Sequence, residues 1–255
     1  MLLEPSAKCE SLRSSPSGTW SVNVNESRKN RLIASTERYV TKNNWRAVQR
    51  LWQPNVDRGD IDAKACLAHV ILEYLNAPKC IEDQMQKSLQ AAAVAGHADA
   101  AYWVCRWGKM KGAEGDAQLL RAGELGSRGA QRDLGAKFAT GDWSGPKDLA
   151  LAVSWYRKAA ERGHDDAQYN LGFMLILGEG APADVEEGLR WVTRAALQGD
   201  YSARKLLEDL YQNGYYGVPK RIDEANRWAH LLHVARVKQR RNPTRSSLNE
   251  LRASR

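Results

Sequence analysis

The sequence predicts an all-α solenoid built from repeated pairs of antiparallel helices. Three observations carry that prediction. Trp155, Trp191 and Trp228 stand 36 and 37 residues apart in related contexts, "ALAVSWYRKAAERGHDDA" (150–167), "EEGLRWVTRAALQGDYSA" (186–203) and "DEANRWAHLLHVA" (223–235). Between them a second pattern returns with the same spacing: Gly126, Gly163 and Gly199, then Ala130, Ala167 and Ala203, then Leu134, Leu171 and Leu207. Fixed self-similarity near this length is the mark of a helical repeat array. Finally, Ala-, Leu-, Arg- and Glu-rich segments dominate, and no alternating β-branched run bounded by hairpin turns is present.

The elements can be justified in chain order. Residues 1–25, rich in Ser, Pro, Asn and Gly, are expected to be a disordered N-terminal segment. From 26 to 58, Leu32, Ile33, Tyr39, Val40, Trp45, Val48, Leu51 and Trp52 fall on helical spacing. They predict two helices, as either a divergent repeat or an N-terminal cap. The array proper is expected over 59–236 in about five units, beginning at Gly59, Gly96, Gly126, Gly163 and Gly199. The Gly96 unit is short at 30 residues and has no tryptophan of the series.

One unit shows the physics. After Gly163, Ala167, Leu171, Gly172 and Leu175 form one apolar stripe, predicting a first helix over 165–177. Gly178, Gly180 and Pro182 break it. Asp184 is placed to cap the second helix, which carries Gly188, Trp191, Ala195 and Ala196 on its inner face. Gly199 closes it as a left-handed cap. Ala and Gly let backbones approach, and Trp fills the wedge towards the next unit. A lone helical hairpin cannot bury that face, so units stack.

"AQYNLGFMLILGEGAPAD" (167–184) and "AVSWYRKAAERG" (152–163) resemble the Sel1-like repeat family, a cousin of the tetratricopeptide repeats. The resemblance is strong over 126–235 and tapers towards 59. Three residues or features depart from the family pattern. Arg221 stands at the capping Asp position of the last unit, Gly188 replaces a helix-start Ala, and the 96–125 unit lacks its Trp. The resemblance implies a right-handed superhelix of antiparallel helix pairs that binds proteins along a concave face lined by the first helices.

That implication names candidate residues. Offsets of +2, +3 and +6 from the register Ala lie opposite the packed stripe. They give Tyr102, Trp103 and Arg106; Arg132, Asp133 and Ala136; Tyr169, Asn170 and Phe173; and Lys205, Leu206 and Asp209. The partner-binding set is Tyr102, Arg106, Arg132, Asp133, Tyr169, Asn170, Phe173, Lys205 and Asp209. Mixed aromatic, Arg and acidic surfaces favour protein partners. Cover by neighbouring units or by curvature is the alternative for Trp103 and Leu206.

Apparent chemistry dissolves into the repeat. Glu161, His164, Asp165 and Asp166 fall at a repeat junction, where acids are expected to cap the first helix and favour its dipole. His230 and His233 are one helical turn apart, with no further ligand in view. Cys9, Cys66, Cys80 and Cys105 fit no zinc spacing. No nucleophile elbow, phosphate loop or metalloprotease motif occurs, and "GDWSGPKD" (141–148) is a turn between helices. The expectation is a protein with no catalytic residues, no metal and no cofactor. It acts as an adaptor or as an inhibitor, for example an immunity protein against a bacterial toxin.

The charge is +8 overall, but residues 236–255 hold seven cations against one acid, a net +6. A flexible basic tail is therefore expected at 237–255. It supports the competing reading, in which the tail binds nucleic acid or another acidic surface. The start "MLLEPSAKCESL" lacks the apolar run of a signal peptide, and no stretch reaches the roughly 20 apolar residues of a membrane span. A cytoplasmic protein with reduced thiols is expected, and its oligomeric state stays open.

Overall fold

The computed structural model describes residues 35–36, 38–40, 42–108, 112–142 and 144–241. Every regular element among them is helical. The helices are α1 (Trp45–Val56), α2 (Ile61–Tyr74), α3 (Lys79–Val94), α4 (Ala98–Trp107), α5 (Gly112–Glu124) and α6 (Arg128–Thr140). They continue with α7 (Leu149–Glu161), α8 (Asp165–Leu177), α9 (Val185–Gln198), α10 (Tyr201–Asn213) and α11 (Ile222–Arg241). A 3₁₀ turn, Tyr215–Gly217, joins the last two. The expected N-terminal segment, 1–25, lies outside the described residues. So does 242–255 of the expected basic tail, whereas 237–241 continue α11.

The repeat register read from the sequence is visible in the backbone. Gly59, Gly96, Gly126, Gly163 and Gly199 all have positive φ, between 82° and 112°. Each ends one helix pair and reverses the chain, a conformation that costs a side-chain-bearing residue and not glycine. Four residues after each stands Ala63, Ala100, Ala130, Ala167 or Ala203, and all five are fully buried. Leu134, Leu171 and Leu207 follow, equally buried. Burying each such Leu contributes about 1.5–3 kcal/mol.

Two compact units are distinct among the described residues. The first runs to Leu134 and includes 142, 144 and 145. Its core gathers Trp52, Ile71, Val70, Leu89 and Leu134. The Trp52 Nε1–H donates to Thr36 Oγ1 at 2.8 Å, fastening the residues before α1 to that helix. α2 is buried on most of its circumference (Ala63, Ala65, Cys66, Leu67, Ala68, Val70 and Ile71), so it shows no single apolar stripe. His97 caps α4: its Nδ1 accepts from the Ala100 N–H at 3.1 Å, and its Nε2 meets Asp62 Oδ1 at 3.1 Å.

The second unit holds 135–141 and the described residues from 146 onward. In it α8 and α9 cross backbone to backbone. A Cβ on Gly172 would come within 2.6 Å of the Gly188 carbonyl oxygen, and one on Gly188 within 2.6 Å of the Ile176 side chain. Position 172 faces 188 and 192 while 176 faces 188, so the pair is antiparallel. Next to it Ile176, Val192, Ala195, Leu207, Leu210, Val218 and Trp228 form one core cluster. The Arg157–Glu187 ion pair ties α7 to α9.

Caps follow the sequence in four places. Asp60, Asp148, Asp184 and Asp200 accept from the N–H of Ala63, Leu151, Glu187 and Ala203. The junction at Gly163 differs from the expectation of an acidic cap. The N-cap of α8 is His164, which makes no side-chain cap bond, and Asp165 and Asp166 fall in the first turn. There they favour the helix dipole without capping the helix. The His164 Nδ1 lies 3.5 Å from Asp165 Oδ1. Burial, reinforced by Asp166 and Asp165, pushes the nearby Asp200 carboxyl above its ordinary range.

Candidate functional site

The first helices of the first unit carry a continuous strip of rings and charges. On α2, the His69 ring stacks on Trp103 of α4, with centroids 3.9 Å apart and planes 5° from parallel. Trp107 stacks beside it at 5.3 Å, and Tyr74 meets its edge at 5.8 Å. The Trp107 Nε1–H donates to Glu73 Oε2 at 3.1 Å. The His69 Nδ1 is buried without a hydrogen-bond partner. Burial, and secondarily the Arg106 charge, hold its pKa down to about 3. The ring is therefore neutral at physiological pH.

A polar chain continues from this stack. Arg106 Nη1 donates to the Tyr102 hydroxyl at 3.1 Å, and that hydroxyl donates to Asp133 Oδ2 at 2.8 Å. Asp133 Oδ1 lies 2.8 Å from Arg132 Nη1. Burial and then Asp133 push the Tyr102 phenol up to about 12, so it stays a donor. Four residues expected from the sequence (Tyr102, Arg106, Arg132 and Asp133) are thus brought together by α4 and α6. Their exposure differs from the expectation, however. Tyr102 is 4% exposed and Trp103 3%, whereas Arg106 is exposed.

Gly129 is the physical reason for the burial of Tyr102. A Cβ at Gly129 would sit 2.6 Å from Tyr102 Cε1, so the ring lies directly on the backbone of α6. Tyr102 is a post that holds Arg106 and Asp133 in place; the two charged groups form the accessible surface. His69, Glu73 and Trp107 were not among the sequence candidates. His69 occupies the +6 offset from Ala63, so carrying the offset rule one unit further back would have found it. Glu73 and Trp107 lie beyond those offsets.

In the second unit the candidates fall on α8 and α10. Tyr169 and Phe173 stack at 6.1 Å with planes 12° apart, as i,i+4 neighbours on a helix do. Tyr169 and Leu206 pack partly against the core cluster. Burial and the Asp200 charge push the Tyr169 phenol upward. The Asn170 side chain donates to the Asp166 carbonyl at 2.7 Å. Lys205 pairs with Glu208 at 3.0 Å and Asp209 at 3.1 Å. No metal-holding group of three His, Cys, Asp or Glu side chains occurs among the described residues. No described helix is long and apolar enough to cross a membrane.

Comparison with known proteins agrees with this geometry. The Sel1 repeat model matches residues 129–164, 165–200 and 209–231. The chain is 38% identical over 91 residues to chitin synthase regulatory factor 3 of Schizosaccharomyces pombe, a match covering 32% of this chain and 10% of that protein. It thus spans about a tenth of the curated relative it matches. A Sel1 repeat protein from Oxalobacter formigenes superposes with a TM-score of 0.62 at 23% identity, covering 89% of this chain and 98% of that one. An immunity protein from Pseudomonas aeruginosa gives 0.52 at 13% identity, covering 92% and 84%. These two likenesses concern the fold. Residues 129–164, 165–200 and 209–231 thus match Sel1 repeats.

Proposed function

We propose that the chain is a non-enzymatic interaction scaffold that binds a protein partner through the first-helix faces of its repeats. The observation that carries this reading is the rigid strip on α2, α4 and α6. There a ring stack and the Arg106–Tyr102–Asp133–Arg132 chain fix charged groups in place before any partner arrives. Pre-ordered Arg and aromatic side chains reduce the entropy cost of binding. On α8 and α10, Tyr169, Asn170, Phe173, Lys205 and Asp209 supply a second such face. The scaffold acts in the cytoplasm as an adaptor or as an inhibitor that occludes its target. The regulatory name of the fission-yeast relative supports the adaptor role, and the immunity-protein fold supports the inhibitor role.

Affinity capture from native lysate tests this. The wild-type chain is expected to recover a specific protein that the Arg106→Glu, Arg132→Glu double variant loses at least tenfold while keeping its helical circular-dichroism signal. Equal recovery by the two would remove the assignment. The net +6 of residues 236–255 favours a second reading, retention of nucleic acid by the basic end. Such binding should fall steeply with salt and vanish on deletion of 237–255.

A further inference from the structure

The turn between α10 and α11 displays two rings that the fold does not use. Tyr215 and Tyr216 are 55% and 54% exposed, and they meet edge-on with centroids 6.3 Å apart. Tyr216 has φ 55° and ψ 34°, in the left-handed region. Thirty-six residues earlier, the matching position is Gly180, with φ 75°. This unit carries tyrosine where the preceding one carries glycine; the unit before that has Trp143 in register. A bulky side chain in left-handed backbone is strained. Here the strain is not offset by burial.

A second departure lies four and five residues on. Asp148 and Asp184 cap α7 and α9. In the last unit Lys220 and Arg221 occupy the corresponding stretch. Both are exposed, and neither forms an ion pair among the described residues. Between the two tyrosines and the two cations, Val218 is 2% exposed and anchors the turn in the core cluster. The turn is thus fastened from below while four residues point outward.

We propose that this turn is a second docking surface, separate from the first-helix faces. The occupant is an acidic segment of a protein partner: its apolar side chains pack on Tyr215 and Tyr216, and its carboxylates pair with Lys220 and Arg221. Tyr and Arg together supply the rigid, amphipathic contacts that dominate protein interfaces. The partner chemistry follows from charge: Lys220 and Arg221 outnumber the one exposed acid beside them, Asp223, so the facing segment is acidic. The rings stand 63° to one another, an angle that suits an apolar side chain set against them and does not form a parallel platform for successive bases.

The test uses substitutions that restore what the preceding unit carries. Tyr216→Gly and Arg221→Asp are each expected to hold or raise the thermal midpoint, because they return a left-handed glycine and a capping acid. A phage-displayed 15-residue peptide library is panned on the full wild-type chain, and selected peptides are titrated against both variants. A class rich in Asp or Glu beside apolar residues is expected to weaken at least tenfold on each variant and to be unaffected by Arg106→Glu. Absence of such a class, or equal binding to the variants, would overturn the proposal. So would a fall in the Tyr216→Gly midpoint, which would show that the ring serves the fold. A 15-mer of deoxythymidine that binds wild type and is lost on the same variants would also overturn it, assigning the turn to nucleic acid.

Discussion

At the residue scale, Tyr102 and His69 decide the character of the first-unit face. The Tyr102 hydroxyl accepts from Arg106 and donates to Asp133, so Tyr102→Phe removes both bonds while keeping the ring on Gly129. Chemical denaturation should show a loss of about 1–2 kcal/mol. His69 predicts a pH dependence. Its folded pKa, about 3, lies below the ordinary 6.5. Stability conferred by the neutral ring is therefore present above pH 6.5 and is lost as the pH falls from there towards 3. The unfolded chain takes up a proton that the folded chain refuses. Through that window the slope approaches about 1.4 kcal/mol per pH unit, and His69→Phe should lower it by that amount relative to wild type. The sequence offsets identified Arg106, Arg132 and Asp133, but they did not reveal that Tyr102 is covered. That information sits in Gly129, 27 residues away, and becomes legible only once α4 and α6 are side by side.

At the element scale, the helix pair α8–α9 was legible almost residue by residue. The stripe of Ala167, Leu171, Gly172 and Leu175 predicts 165–177, and the helix is Asp165–Leu177. Asp184 caps α9, and Gly199 closes it in left-handed conformation. The close crossing depends on two absent side chains. Gly172→Ala would place a methyl 2.6 Å from the Gly188 carbonyl oxygen and 2.7 Å from the Val192 side chain. The helices must then separate, and a loss of about 1–3 kcal/mol is expected in urea denaturation. The cap of α8 was less legible. The expectation placed an acid there because acids cluster at 165–166, but the capping position itself is His164, one residue earlier. α2 shows the opposite limit: a helix buried nearly all round has no stripe for a sequence to display.

At the scale of the whole molecule, one rule runs through both units. A left-handed Gly is followed four residues later by a fully buried Ala, from Gly59 and Ala63 to Gly199 and Ala203. The Sel1 model matches 129–164, 165–200 and 209–231, whereas the 96–125 unit, short and without its Trp, keeps the backbone signature. Repetition therefore exposes the scaffold, and the proposed binding role rests on residues that vary within it: Arg106, Arg132, Phe173 and Lys205 on first helices. Site-specific photocrosslinking with the captured partner tests that division most directly. A benzophenone side chain is placed in turn at Arg106, Phe173 and Lys205, and at the exposed second-helix positions Lys87 and Arg194. Crosslinks to a single partner are expected from the first-helix positions, and none from Lys87 or Arg194. Crosslinks from the second-helix positions alone would contradict it.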